Sequence, residues 1–172
     1  MSASAAATPS IEEQWPDVRR LFSRATVTSL HFSIASIDRT GAPHVTPIGS
    51  VLLTRPGRGF FFELYTRRLP ANLVRDPRVS ILAVDSGKLF WLRSLYKGGF
   101  ERAPALRLVG RVLGPPRPST PEEQERFARR VRRLSWLKGH ALMWRDPGPV
   151  REFEVDRIEH VHLGPMTAGL MP

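Results

Sequence analysis

The stretch APHVTPIGSVLL, Ala42 to Leu53, carries the residues of a good β-strand together with two that a strand interior resists. Val45, Ile48, Val51, Leu52 and Leu53 suit a pleated, half-buried surface. Pro47 has no N–H to give to a ladder, and Gly49 has no side chain to pack on one. A proline persists in a strand at an edge or a bulge. A glycine persists where another group comes too near for a Cβ. The pair therefore fits either of two structures. One is a barrel corner, where strands bend at glycines and bulges. The other is a strand with one face cleared for a flat ligand, whose edge the main chain of Thr46, Ile48 and Gly49 could read.

The flanking sequence supplies partners for this strand. In TSLHFSIASID, Leu30, Phe32 and Ile34 alternate with His31, Ser33 and Ala35, which is strand spacing. DRTGAP follows as a polar turn with Gly41 at a position suited to positive φ, so the stretch from Ala42 is the return strand of a hairpin. A second turn, RPGRG, leads into the strand FFFELY. A short helix over Pro70 to Arg75 is stopped by Asp76-Pro77, and Val79, Ile81, Ala83 and Val84 carry a fourth strand. DSGKLFWLRSLYKGGFERAP is rich in aromatics and glycine, and it reads as a strand fragment with a long excursion. LRLVGRVLG is a fifth strand, with Leu106, Leu108 and Gly110 alternating against Arg107, Val109 and Arg111.

Two helices lie outside this series. Ser10 and Glu13 form a capping box before Ile11, Trp15, Val18 and Phe22, predicting a helix over Ile11 to Arg24 despite Pro16. Thr120, Pro121 and Glu123 open a second helix, with Phe127, Val131 and Leu134 as its buried stripe and Gly139 as its stop. VREFEVDRIEHVHLG adds one or two strands through Phe153, Val155, Val161 and Leu163. The pattern predicts a mainly β protein with flanking helices, an antiparallel barrel of about six strands. Residues 1–10 read as a disordered tail and 11–172 as a single domain.

At 172 residues the chain is long enough for a real core. It has no cysteine, which excludes disulfides, thiolate metal sites and a cysteine nucleophile. No apolar run approaches the roughly 18 residues of a membrane span, and the first residues lack a secretory pattern, so a cytoplasmic protein is expected. The formal charge is +10 and comes almost wholly from arginine, the better bidentate ligand for phosphate. TRR, Thr66 to Arg68, puts a hydroxyl beside two guanidinium groups just before the short helix, whose N–H groups could help hold an anion.

IDRTGAPHVTPIGSVLL, FFFELYTRR and ANLVRDPRVSILAV, in this order and spacing, resemble the pyridoxamine 5'-phosphate oxidase-like, FMN-binding split-barrel family. The resemblance covers about Leu30 to Val84, with Leu106 to Leu113 as a continuation, and Asn72 to Ser80 is its most diagnostic piece. It implies a six-stranded antiparallel split barrel that forms a homodimer, with flavin in clefts between subunits. It further implies that Thr46, Pro47, Ile48 and Gly49 line the isoalloxazine ring of FMN and that Glu63 contacts the ring or ribityl chain. Thr66, Arg67 and Arg68 would hold the phosphate with Asn72 near it, and Trp91 and Arg93 would come from the partner chain. Two departures stand out. Leu69 occupies the place where many relatives have a lysine, and HVH, His160 to His162, lacks the arginine of the oxidase's substrate motif.

The function expected on this basis is an FMN-dependent oxidoreductase acting on a small molecule. The rival cofactor is the deazaflavin F420, and a rival class is a non-catalytic flavin- or haem-binding protein. No catalytic side chain is nominated, because the chemistry would be the flavin's. His31 and His44 read as strand histidines. His140, His160 and His162 have no carboxylate at ligand spacing, so no metal site is expected. Arg126, Arg129, Arg130, Arg132 and Arg133 surround an apolar stripe and read as the solvated face of a packed helix rather than a nucleic-acid surface.

Overall fold

In a computed structural model of the chain, residues 9–132, 135–139 and 148–170 are described. Helix α1 (Ile11–Thr28) is followed by strands β1 (Phe32–Ile37), β2 (Pro43–Ile48), β3 (Leu52–Leu53) and β4 (Arg58–Phe62). Then come α2 (Arg68–Arg75), β5 (Arg78–Val84), α3 (Lys88–Lys97), β6 (Ala105–Val112), α4 (Pro121–Val131) and β7 (Val150–His160). A 3-10 segment over Gly164–Leu170 ends the described chain.

The seven strands form one antiparallel sheet in the order β2-β1-β5-β6-β7-β4-β3. β2 and β3 are neighbours in sequence yet lie on opposite edges of that sheet. The link from Ile48 to Leu52 spans about 13 Å at most when extended. The sheet must therefore curl until its edges nearly meet, with the seam between β2 and β3 left unladdered. This is a split barrel. The strand expected over residues 42–53 is two short strands joined at a bend, which accounts for seven strands where six were expected.

The barrel interior takes alternate residues from each strand: Ile34 from β1, Ile81 and Ala83 from β5, Leu106 and Leu108 from β6, Phe153 and Val155 from β7. α1 closes one end with Trp15, Val18, Leu21, Phe22 and Ala25, and Phe22 stacks on Phe32 at 4.8 Å between ring centroids. The capping box of α1 forms as expected. The helix runs on to Thr28, with the Thr26 and Thr28 hydroxyls donating to the carbonyls of Phe22 and Arg24. The run Phe60-Phe61-Phe62 is buried on both faces of β4. Phe61 points to the main core, while Phe60 and Phe62 join Leu52, Val150, Phe127 and Val131 in a second cluster beneath α4.

Three expectations are corrected. Residues 88–97 are a helix, stopped at Gly98, which takes a φ of 70° and donates to the Leu95 carbonyl. Leu89, Leu92, Leu95 and Tyr96 of this helix are exposed, so no buried stripe marks its period in the sequence. α4 ends at Val131, with Arg132 as its C-cap, well short of Gly139. Arg133, Leu134, His140 and residues 1–8 of the expected tail lie outside the described residues. β7 is one continuous strand, and Val161 and Leu163 lie beyond it. The C-terminal 3-10 segment packs on its own chain, where the Met166 carbonyl accepts from Phe100 N at 2.8 Å.

The β6–β7 ladder shifts register at Val109/Gly110. A Cβ at Gly110 would sit 1.9 Å from the Glu154 carbonyl oxygen, a backbone atom. Gly110→Ala should therefore lower stability by about 1–3 kcal/mol through forced displacement of β7, read as a reduced urea midpoint. An unchanged midpoint would show that the two strands are not this close.

Candidate functional site

The bend between β2 and β3 also builds one wall of a cleft. Ser50, buried at the bend, donates from its hydroxyl to the Phe62 carbonyl at 3.0 Å and accepts from Phe62 N at 3.2 Å. This pair of bonds ties the end of β2 to the end of β4. The cleft of about 520 Å³ between them has Thr46, Pro47, Ile48 and Gly49 along one side and Thr66, Arg67 and Arg68 at the other. Phe62, Leu64 and Phe127 complete its apolar lining, and this size is in the range of small-molecule sites.

Pro47 and Gly49 sit at a corner of the sheet that also borders the cleft. β2 is an edge strand, with β1 as its single neighbour, and an edge tolerates a missing N–H. Pro43 and Pro47 are four positions apart, so their bare nitrogens face the same side of the strand. A Cβ on Gly49 would come within 3.2 Å of the Leu30 carbonyl oxygen. Main-chain crowding at the corner thus favours glycine, which also leaves bare backbone along the cleft.

The far end of the cleft starts a helix that, like α3, lacks the side-chain cap and acidic first turn of α1 and α4. α1 and α4 both start with capping boxes and acidic first turns. α2 starts at Arg68 with Arg67 as N-cap, no side-chain cap and no acidic residue in its first turn. Cations at a helix N-terminus oppose its dipole, and the first N–H groups are left open to an anion. Arg67 and Arg68 are exposed and have no carboxylate partner among the described residues. Tyr65, just before them, takes a φ of 54°, a left-handed conformation rare for a bulky side chain and frequent at binding sites. Thr66 Oγ1 is buried and makes no hydrogen bond. An orphaned hydroxyl is a cost the fold normally avoids, and its residue lines the same cleft as Arg67 and Arg68. The residues present fit a phosphate-bearing group with a flat apolar body.

Not every expected residue lines this cleft. The Glu63 carboxylate pairs with the guanidinium of Arg151, the two side chains being 6% and 2% exposed. Arg151 also donates to the Gly114 carbonyl at 3.0 Å. Asn72 is buried and donates from Nδ2 to Ser36 Oγ at 3.0 Å, which anchors α2 to β1. Both residues therefore serve as supports behind the lining. Trp91 and Arg93 sit on α3, where Trp91 Nε1 donates to the Asp85 carbonyl at 2.6 Å and Arg93 approaches Glu101 at 3.5 Å. His44 lines the cleft and His31 does not. Among the described residues no three His, Asp or Glu side chains converge on a metal position. Ser50, Phe62, Tyr65 and Phe127 belong to the site without having been anticipated; their neighbours in the sequence carried the only available signal.

Residues 23–162 match the profile of the pyridoxamine 5'-phosphate oxidase family, and the chain belongs to that family. A search of curated proteins gives no match. Among solved structures, HupZ from Group A Streptococcus is similar at 16% identity and a TM-score of 0.54, over 85% of this chain and 94% of that one. An FMN-binding protein from Syntrophomonas wolfei subsp. wolfei shares 13% identity at a TM-score of 0.54, over 90% and 96% of the two chains. An F420 reductase shares 15% identity at a TM-score of 0.55, over 82% and 94%. At such identities these structures establish the shared fold.

If the Arg151–Glu63 pair supports the cleft from within the protein, removing one partner leaves a buried charge uncompensated. Arg151→Ala should cost roughly 3–5 kcal/mol in urea denaturation, while Arg67→Ala should cost less than about 0.5 kcal/mol. Equal and small effects would contradict the burial of the pair.

Proposed function

We propose that the protein is an FMN-dependent oxidoreductase acting on a small molecule, and that it works as a homodimer with the cofactor at the subunit interface. The observation that carries this reading is the buried, unpartnered Thr66 hydroxyl at the uncapped, arginine-flanked start of α2, facing a wall of bare main chain across the cleft. Thr66, Arg67, Arg68 and the first N–H groups of α2 hold the phosphate. Thr46 to Gly49 lie against the ring system and offer backbone donors and acceptors to its edge, while Phe62 and Phe127 form an apolar floor. Bound flavin supplies hydride or electron transfer, so the protein's part is to orient the ring and govern access to it. Val45 and Tyr65 are 60% and 73% exposed at the cleft, apolar surface that a second subunit covers on dimerisation.

The F420 reading fits the same phosphate end, and the shared fold with an F420 reductase keeps it as the second cofactor to test. The two separate by absorbance. The purified protein should show bands near about 370 and 450 nm and release a molecule of the mass of FMN; a single band near about 420 nm marks the deazaflavin instead. Arg67→Ala/Arg68→Ala should weaken FMN retention by about 2–5 kcal/mol with little change in stability. Retention unchanged in that variant would remove the phosphate assignment.

A further inference from the structure

A second large cleft, of about 790 Å³, runs between α1 and α4 and takes no part in the site above. Five arginines line it: Arg19 and Arg20 from α1, and Arg126, Arg129 and Arg130 from α4. No Asp or Glu is among its lining residues. Arg20 pairs with Asp17, and Arg129 approaches Glu125 at 3.7 Å. Arg19, Arg126 and Arg130 have no carboxylate partner among the described residues.

Arg126 and Arg130 of α4 are not part of a freely solvated face such as a helical charge run usually makes. Arg130 donates from Nη1 to the Val51 carbonyl, and Arg126 donates from Nη2 to the Leu53 carbonyl at 3.0 Å. These bonds fix both guanidinium groups along the edge strand β3, side by side. Burial, and then the neighbouring charge of Arg126, bring the Arg130 pKa down to about 10. Each group uses one of its five N–H donors on the main chain. Like charges held together without a counter-ion cost energy that a bound anion would return.

The floor of the cleft differs from its rim. Phe22, Leu52 and Leu53 are buried apolar residues, and Val27 is 64% exposed beside them. Ser23 and Thr26 add hydroxyls on the α1 side. Arginines on the rim and apolar side chains on the floor match a molecule that carries several anionic groups on an apolar or aromatic body. The cleft is a shallow trough bounded by two helices and the β3 edge, with room along it for a small molecule.

We propose that the α1–α4 cleft is a binding site for an organic polyanion of the nucleoside diphosphate type, separate from the cleft beside α2. Its anionic groups lie on Arg19, Arg126, Arg129 and Arg130, and its apolar part lies on Phe22, Val27, Leu52 and Leu53.

The probes are ADP, inorganic pyrophosphate and a DNA duplex, each titrated calorimetrically into the full chain at low and at raised salt. ADP should bind more tightly than pyrophosphate, with an affinity that falls as salt rises. Arg19 and Arg129 are exposed and far from structural duties, so R19E/R129E should fold normally and weaken ADP at least about tenfold. R67A/R68A should leave ADP affinity unchanged, which separates this site from the proposed flavin site. Four results would overturn the proposal: no ADP binding, equal affinity for ADP and pyrophosphate, loss of ADP affinity in R67A/R68A but not in R19E/R129E, or a duplex bound more tightly than ADP.

Discussion

The two hydrogen bonds between the Ser50 hydroxyl and the Phe62 main chain hold the bend that closes the sheet. Without that bend, β2 and β3 would be the free edges of an open sheet. With it, the end of β2 and the end of β4 are brought face to face, and the space left between them is the cleft. The same bend favours glycine at position 49, because the Leu30 carbonyl lies 3.2 Å from where its Cβ would be. One constraint thus sets the topology, the seam and the position of the proposed ring-binding wall.

The support behind the cleft is ionic and buried. Arg151 and Glu63 meet between β7 and the segment after β4, and Arg151 reaches the Gly114 carbonyl as well. A buried pair of this kind gives little net stability against an apolar alternative, yet it tolerates the loss of neither partner. Its effect is to fix where the chain leaves β4 and turns toward Thr66. On the outer face of the sheet, arginines have carboxylate partners: Arg107 with Glu159, Arg111 with Glu154 and Asp156, Arg117 with Glu123 and Glu152. Several arginines without carboxylate partners lie at the two clefts. Part of the net charge of +10 thus sits at the two clefts.

The alternating strands and both capped helices were legible because each carries its own local signal: a period of two, or Ser10 with Glu13 and Thr120 with Glu123. That Thr46 to Gly49 and Thr66 to Arg68 line one cleft was legible because proline, glycine and paired arginines violate local rules, and such violations gather at functional sites. Helix α3 was hidden because its leucines face outward and give no buried stripe, although the absence of β-branched residues from 88–97 and the pair Gly98-Gly99 were there to be read. Glu63 and Asn72 lie close to the cleft in sequence, but spacing along the chain does not say which side chain turns inward. Arg151, 88 positions from Glu63, decided that question for the carboxylate. Only the fold brings them together.

The central claim is that the orphaned hydroxyl and paired guanidinium groups at the start of α2 receive the phosphate of a flavin. The most direct measurement is the ratio of FMN to riboflavin affinity in the wild-type chain and in Thr66→Val. Phosphate contacts of about 1.5–3 kcal/mol each predict that FMN binds at least about a hundredfold more tightly than riboflavin, and that Thr66→Val narrows the gap about tenfold. Equal affinities for the two ligands in the wild-type chain would contradict the account.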